Sequence, residues 1–287
     1  MTYKSDDFEN KADTGLIMSS IDWLIDHFKA KEEYRLHMIQ ELNLKPGDIV
    51  LDVGSGPGLW SEKLAEKVAP NGKVIGLDLS ADAIAYSRQK VKKLTYKNLI
   101  EYVQGNFFEI PYEQGTFDIT FCSNALMYFN DDQKVKIISE MKRVTRKGGK
   151  VISKEYDGEA IIVYPLPPER WLKLKSLVAQ VLTETTSNNY YDEYVARKGR
   201  KLFIESGLTG LTSVPYVIQM GFPLSISAKH YITKECRWLI RTASPYLKPE
   251  EIEEFYAYFD VDSPQYILDR EDFFYSNIEF MLTGIAG

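Results

Sequence analysis

Asp52, Gly54, Gly56 and Gly58 occupy alternate positions in the stretch VLDVGSGPGLW (residues 50–60), with Ser55 and Pro57 between the glycines. An apolar run stops at an acid, three closely spaced glycines follow, and a helical pattern begins at once. Backbone without side chains lets a ligand come close to the main chain. A triphosphate-binding loop would place a Lys-Ser/Thr pair after its last glycine; here Gly58 is followed by Leu59 and Trp60. A dinucleotide fingerprint reads Gly-x-Gly-x-x-Gly, so the third glycine here comes one position early. A tight strand-to-helix connection with no ligand would use the same residues. Asp78 weighs against that reading, because it ends the apolar run KVIGLD (73–78). An acid at the end of a second parallel strand meets a ribose laid across the strand ends and accepts bonds from its hydroxyls. Taken alone, such an acid more often caps a turn.

Acid–base candidates are few. The chain has three histidines, His27, His37 and His230. His27 and His37 fall in a helical pattern and read as surface or packing residues. His230 stands beside Tyr231 in an aromatic-rich stretch and is the histidine best placed as a base or substrate contact. Glu155 and Tyr156, with Asp157, follow the run that ends VISKEY and would lie at the carboxyl end of a strand, where sites form. Cys122 and Cys236 are far apart and suggest neither a zinc site nor a disulfide framework, which points to a reducing compartment such as the cytoplasm. No residue grouping has metal-ligand spacing, so no metal is expected.

The elements that must position these residues alternate in type. The segment 16–42 reads as helix, with Ile21, Ile25 and Phe28 at helical spacing. Then come a strand DIVLDVG, a helix carrying Trp60, Leu64 and Val68, and the strand KVIGLD. A helix capped by Ser80 follows, then strands LIEYVQG and FDITFCS, a helix over 131–146 and a fifth strand ending at Tyr156. This βαβαβ rhythm means a parallel sheet with helices on both faces. After Tyr156 the rhythm breaks at YPLPPERW (164–171). A helix around 193–206, a sixth strand over 212–221, a largely helical stretch 224–270 and a seventh strand over 272–284 complete the chain. Of the 287 residues, 44% are hydrophobic and 26% charged, as in ordinary globular proteins, and the net charge of −6 argues against nucleic acid as a partner. No apolar run is long enough to span a membrane.

The glycine loop, Asp78 and the stretch GNFFEIPYEQGTFDITFCSNALMYF (105–129) together resemble the class I S-adenosylmethionine-dependent methyltransferases. Within them the chain looks closest to the small-molecule branch, the ubiquinone/menaquinone-biosynthesis-like and sterol-methyltransferase-like enzymes. The resemblance covers 45–157 closely and the later elements more loosely. It implies a Rossmann-like, seven-stranded, mostly parallel α/β sheet with a helical cap inserted between the last two strands. It further implies that the loop Asp52–Gly58 wraps the methionine end of the cofactor, Asp78 holds the ribose and Leu79 packs on the adenine. Asn106 stands where the family usually has Asp to accept from the adenine amino group. Phe107 would touch the ring edge, and Ser123 would face the methionine portion.

On this reading residues 1–42 form an N-terminal helical lid, 43–223 with 271–287 the core, and 224–270 a cap over the acceptor pocket. Tyr3 and Phe8 would help close the site. The expected activity is methyl transfer from S-adenosylmethionine to a small, partly apolar acceptor, with Glu155, Tyr156 and His230 as candidates for the chemistry. The competing readings are a cofactor-binding protein or cyclase without transfer, and a nicotinamide-dependent oxidoreductase. Homodimerisation through the aromatics of 224–270 competes with the cap.

Overall fold

The computed structural model describes residues 11, 13–16, 18–184 and 191–287; Tyr3 and Phe8 lie outside them. The predicted helix over 16–42 is two helices, α1 (Ile21–Ala30) and α2 (Glu32–Glu41), separated at Lys31. The alternating unit follows as expected: β1 (Ile49–Val53), α3 (Leu59–Val68), β2 (Lys73–Asp78), α4 (Ala81–Val91), β3 (Ile100–Gln104), β4 (Phe117–Ser123), α5 (Asp131–Val144) and β5 (Thr145–Tyr156). Local chemistry sets the boundaries. The Ser80 hydroxyl caps α4, and Asn130 with Gln133 forms a capping box at the start of α5.

The second half runs β6 (Ile162–Tyr164), α6 (Pro168–Glu184), α7 (Val195–Glu205), β7 (Thr209–Gly221), α8 (Ile226–Ala243), α9 (Pro249–Ala257) and β8 (Phe274–Ile285). The sheet therefore has eight strands, not seven. The extra strand is the three-residue β6, too short to show a period and placed in what reads as a proline-rich loop.

Strands β3-β2-β1-β4-β5 are parallel neighbours, and β8 runs antiparallel beside β5. Along its length β8 also pairs with β7, and its first residues pair with β6. Six consecutive residues of β5, Val151–Tyr156, are buried, as are residues 119–122 of β4. Alternate residues of a strand face opposite sides, so both faces of the sheet are covered by helices. Register then places the site: Asp52 pairs with Gly76 and Ser123 with Lys154, which brings the ends of β1, β2, β4 and β5 to one edge.

Candidate active site

A cavity opens at that edge. Its floor is the loop Gly54–Pro57, the strand-end residues Asp78 and Leu79, and Ser123 with Asn124; α1 and α8 close over it through Trp23, Leu24, His27, Glu235 and Trp238.

At one end stands Asp78. Its Oδ2 accepts from the Gly56 N–H at 2.7 Å and its Oδ1 from the Ser80 N–H at 2.8 Å. Burial raises its pKa against those bonds. Leu79 and Phe107 line the same end. The Asp13 carboxylate accepts from the Ser80 hydroxyl and, at 2.9 Å, from the Ala81 N–H. This pins the segment before α1 to the start of α4 and sets Thr14 and Leu16 in the cavity wall.

The glycines divide their work. Gly56 has φ +51°, lines the cavity, and a Cβ there would meet only Leu24 Cδ1, at 3.3 Å. Gly58 has φ +77°, and a Cβ there would lie 2.1 Å from the Tyr102 hydroxyl. It packs against β3 and does not line the cavity, so the expected ligand contact at Gly58 is replaced by a close approach of two elements. Asp52 also lies beneath the floor. Its Oδ2 accepts from the Ser61 hydroxyl at 2.6 Å, and burial pushes its pKa up to about 7, with the Asp78 charge adding to the rise. Asn106 is exposed and off the cavity; its Oδ1 accepts from the Phe108 N–H at 3.0 Å, the geometry of a local turn. Among residues of the cavity wall, Ser55 Oγ, Asn124 Oδ1 and Arg35 Nε are buried without a hydrogen-bond partner.

Of the three residues expected to carry chemistry, one reaches the cavity. Tyr156 lines it, its hydroxyl 3.0 Å from that of Tyr191. Glu155, next along β5, points to the opposite face, accepts from the Ser153 hydroxyl at 2.9 Å and is pushed up to about 7 by burial. His230 is a correction as well. Its ring is largely exposed, with Nδ1 3.2 Å from Asp26 Oδ2 at the outer seam of α1 and α8. The inward stripe of α8 is Tyr231, Glu235 and Trp238, at helical spacing, and position 230 falls outside it.

Other residues of the cavity were not expected from the sequence. His27, Lys31 and Arg35 line it from the α1–α2 segment. Their interval of four residues, which keeps them on one helical face, is the signal that could have revealed them. Lys31 Nζ and Lys154 Nζ each donate to one oxygen of Glu279, at 2.8 Å. Burial alone would raise the Glu279 pKa; the charges of Lys154, Lys31 and Arg35 outweigh it and hold the group well below the usual carboxylate range. Burial, reinforced by Lys31 and Arg35, holds His27 well below its ordinary value and therefore neutral. On the far side Tyr275 donates to Glu235 at 2.7 Å and Lys175 to Glu193 at 3.2 Å.

A family model described as a methyltransferase domain matches residues 44–199, more than half of the chain. The chain belongs to that family. It is 36% identical over 137 residues to a demethylmenaquinone methyltransferase of Oceanobacillus iheyensis, a match covering 48% of this chain and 56% of that one. It is 36% identical over 150 residues to a demethylmenaquinone methyltransferase of Bacillus mycoides, covering 52% and 60%. The chain thus matches little more than half the length of these relatives. Among solved structures, a SAM-dependent methyltransferase of Methanosarcina mazei superposes with a TM-score of 0.54 at 13% identity, over 86% of this chain and 96% of that chain, a likeness of fold. Among the described residues, no helix is long and apolar enough to cross a membrane.

Proposed function

We propose that the protein transfers the methyl group of S-adenosylmethionine to a small, partly apolar acceptor. One observation carries this reading: a single cavity runs from the Asp78–Leu79 end, past the glycine loop, to an aromatic chamber under α8. The lining fits the cofactor. Asp78 keeps lone pairs for ribose hydroxyls beyond its two backbone bonds. Leu79 and Phe107 supply apolar faces for a base. The unpartnered Ser55 Oγ and Asn124 Oδ1 suit the polar amino acid end.

When bound, the sulfonium supplies an activated methyl group for in-line displacement. The chain's own contribution is position and dryness. Trp23, Tyr156, Tyr191 and Trp238 wall the chamber where the acceptor would sit, with α8 of the 224–270 insertion as its roof and α1 as its lid. The Tyr156–Tyr191 hydroxyl pair gives that chamber a hydrogen-bonding edge. The relatives' name, demethylmenaquinone methyltransferase, supports an apolar acceptor.

Calorimetric titration with S-adenosylhomocysteine and with NAD tests the cofactor, and metabolite extracts incubated with labelled-methyl S-adenosylmethionine test transfer. Binding of S-adenosylhomocysteine, no binding of NAD and one labelled product are expected. Binding of NAD alone would revive the oxidoreductase reading. Cofactor binding without a labelled product would favour a binding protein or cyclase.

A further inference from the structure

The cap side of the cavity holds a carboxylate that no neighbouring cation pairs. The lining carries three acids, Asp78, Glu193 and Glu235, against two cations, Lys31 and Arg35. Both cations belong to the α1–α2 wall: Lys31 donates to Glu279, and Arg35 lies over the rings of Phe28 and Trp60. Glu193 takes Lys175 at 3.2 Å. Glu235 is 7% exposed and accepts from the Tyr275 hydroxyl at 2.7 Å, which is itself 2.7 Å from the hydroxyl of Tyr231. Among the described residues no lysine, arginine or histidine lies within ion-pair distance of Glu235. A buried charge without a counter-ion is costly. Aromatic rings stand beside this one. Trp238 follows one helical turn along α8, its ring centre 5.1 Å from that of Tyr191, and the Tyr191 hydroxyl is 3.0 Å from that of Tyr156. Burial holds the Tyr156 and Tyr191 hydroxyls well above their ordinary range, and the charges of Glu193 and Glu235 add to the rise, which places both acids beside that ring pair. A ring face attracts a cation, and a carboxylate pairs with it.

We infer that the acceptor carries an ammonium group, which seats on Glu235 against the rings of Tyr191 and Trp238 while its apolar body fills the rest of the chamber. This rests on the methyl-transfer reading above. The cofactor's own positive charges, its sulfonium and its amino group, are the rival partners of Glu235. Placement favours the acceptor. Glu235 belongs to α8 and is bonded to Tyr275 of β8. The glycine loop follows β1 and Asp78 ends β2, and β4 and β5 separate those strands from β8. The unpartnered Ser55 Oγ and Asn124 Oδ1, which suit the cofactor's amino acid end, follow β1 and β4.

The test compares 2-naphthylmethylamine, an ammonium at neutral pH, with its uncharged isostere 2-naphthylmethanol, by calorimetric titration of wild-type protein saturated with S-adenosylhomocysteine. The amine should bind at least about tenfold more tightly, and Glu235→Gln should abolish that preference. In the same variant two affinity ratios should stay unchanged: S-adenosylmethionine to S-adenosylhomocysteine, which reads the sulfonium, and S-adenosylhomocysteine to 5′-methylthioadenosine, which reads the amino acid end. Equal binding of the two naphthyl probes to wild-type protein, no binding of either, or a preference that survives Glu235→Gln overturns the inference. So does a collapse of either cofactor ratio in Glu235→Gln, which would give Glu235 to the cofactor. The wild-type comparison needs no variant, so poor folding of Glu235→Gln does not shelter the idea. Failure of S-adenosylhomocysteine to bind would count against the cofactor reading instead, and the naphthyl pair, titrated without it, still decides this one.

Discussion

Replacing Glu279 with Gln asks whether the centre of this molecule holds real charge. Glu279 is 0% exposed, and each of its oxygens takes one lysine at 2.8 Å. Charge-assisted bonds contribute about 1.5–3 kcal/mol each, so the pair contributes about 3–6. Gln keeps a carbonyl that can accept from one lysine, which returns about 1 kcal/mol. The expected loss is therefore about 2–5 kcal/mol, in line with about 3–5 for a buried ion pair stripped of one partner. With a urea slope of about 3 kcal/mol/M, the midpoint at pH 7 should fall by about 0.7–1.7 M. The pH dependence has a definite sign. Lys154 already has its pKa lowered to about 8, chiefly by burial. Removing the acid lowers it further. A lysine whose folded pKa lies below its unfolded value makes stability rise with pH across that interval; the interval starts lower in the variant than the value of about 8 in the wild-type protein, so the variant's deficit should narrow as pH rises to about 8 and hold constant above it. Urea unfolding followed by circular dichroism at pH 7 and pH 9.5 measures both effects. A loss below about 1 kcal/mol, or a deficit that widens at high pH, would refute the reasoning.

Asp78→Ala removes the charged acceptor at the ribose end and should weaken S-adenosylhomocysteine at least about tenfold in a calorimetric titration. Asn106→Asp keeps the oxygen that accepts from the Phe108 N–H, so cofactor affinity should hold or improve; a large loss would mean the amide nitrogen has a partner of its own. Gly58→Ala drives a methyl into the Tyr102 hydroxyl from a positive-φ position and should cost about 2–4 kcal/mol in urea unfolding, while the folded fraction keeps its cofactor affinity. Trp238→Ala should raise the acceptor's KM and leave cofactor affinity and solution mass unchanged; conversion of an oligomer to a monomer with unchanged acceptor kinetics would make the cap an interface instead.

The cofactor half was legible because its signals are local. Parallel strands buried on both faces read as continuous apolar runs, Ser80 announces the start of α4, and the acid at the end of β2 stands a fixed distance from the glycine loop. The other wall of the cavity was not. Charges on an amphipathic helix look alike in sequence whether they face water or a cavity, so His27 read as a surface or packing residue and Lys31 and Arg35 did not stand out. Glu279 sits in a run of strand formers, and nothing near it in sequence tells that two lysines, from α1–α2 and from β5, converge on it. His230 misled for the complementary reason: an aromatic-rich helix does not state which of its faces turns inward.

The position of β8 has a consequence for how the chain is made. Strands β1 to β5 form one unbroken run, β3-β2-β1-β4-β5, and can pair as they leave the ribosome, N-terminal first. β5 then presents a bare edge until Phe274–Ile285 has been translated and slides in beside it. A nascent chain in that interval carries an open row of N–H and C=O groups, a template for any foreign strand. Lys154 lies on that waiting strand, and its partner Glu279 comes only with β8. Until then the ammonium on that strand lacks the carboxylate that neutralises it in the finished fold.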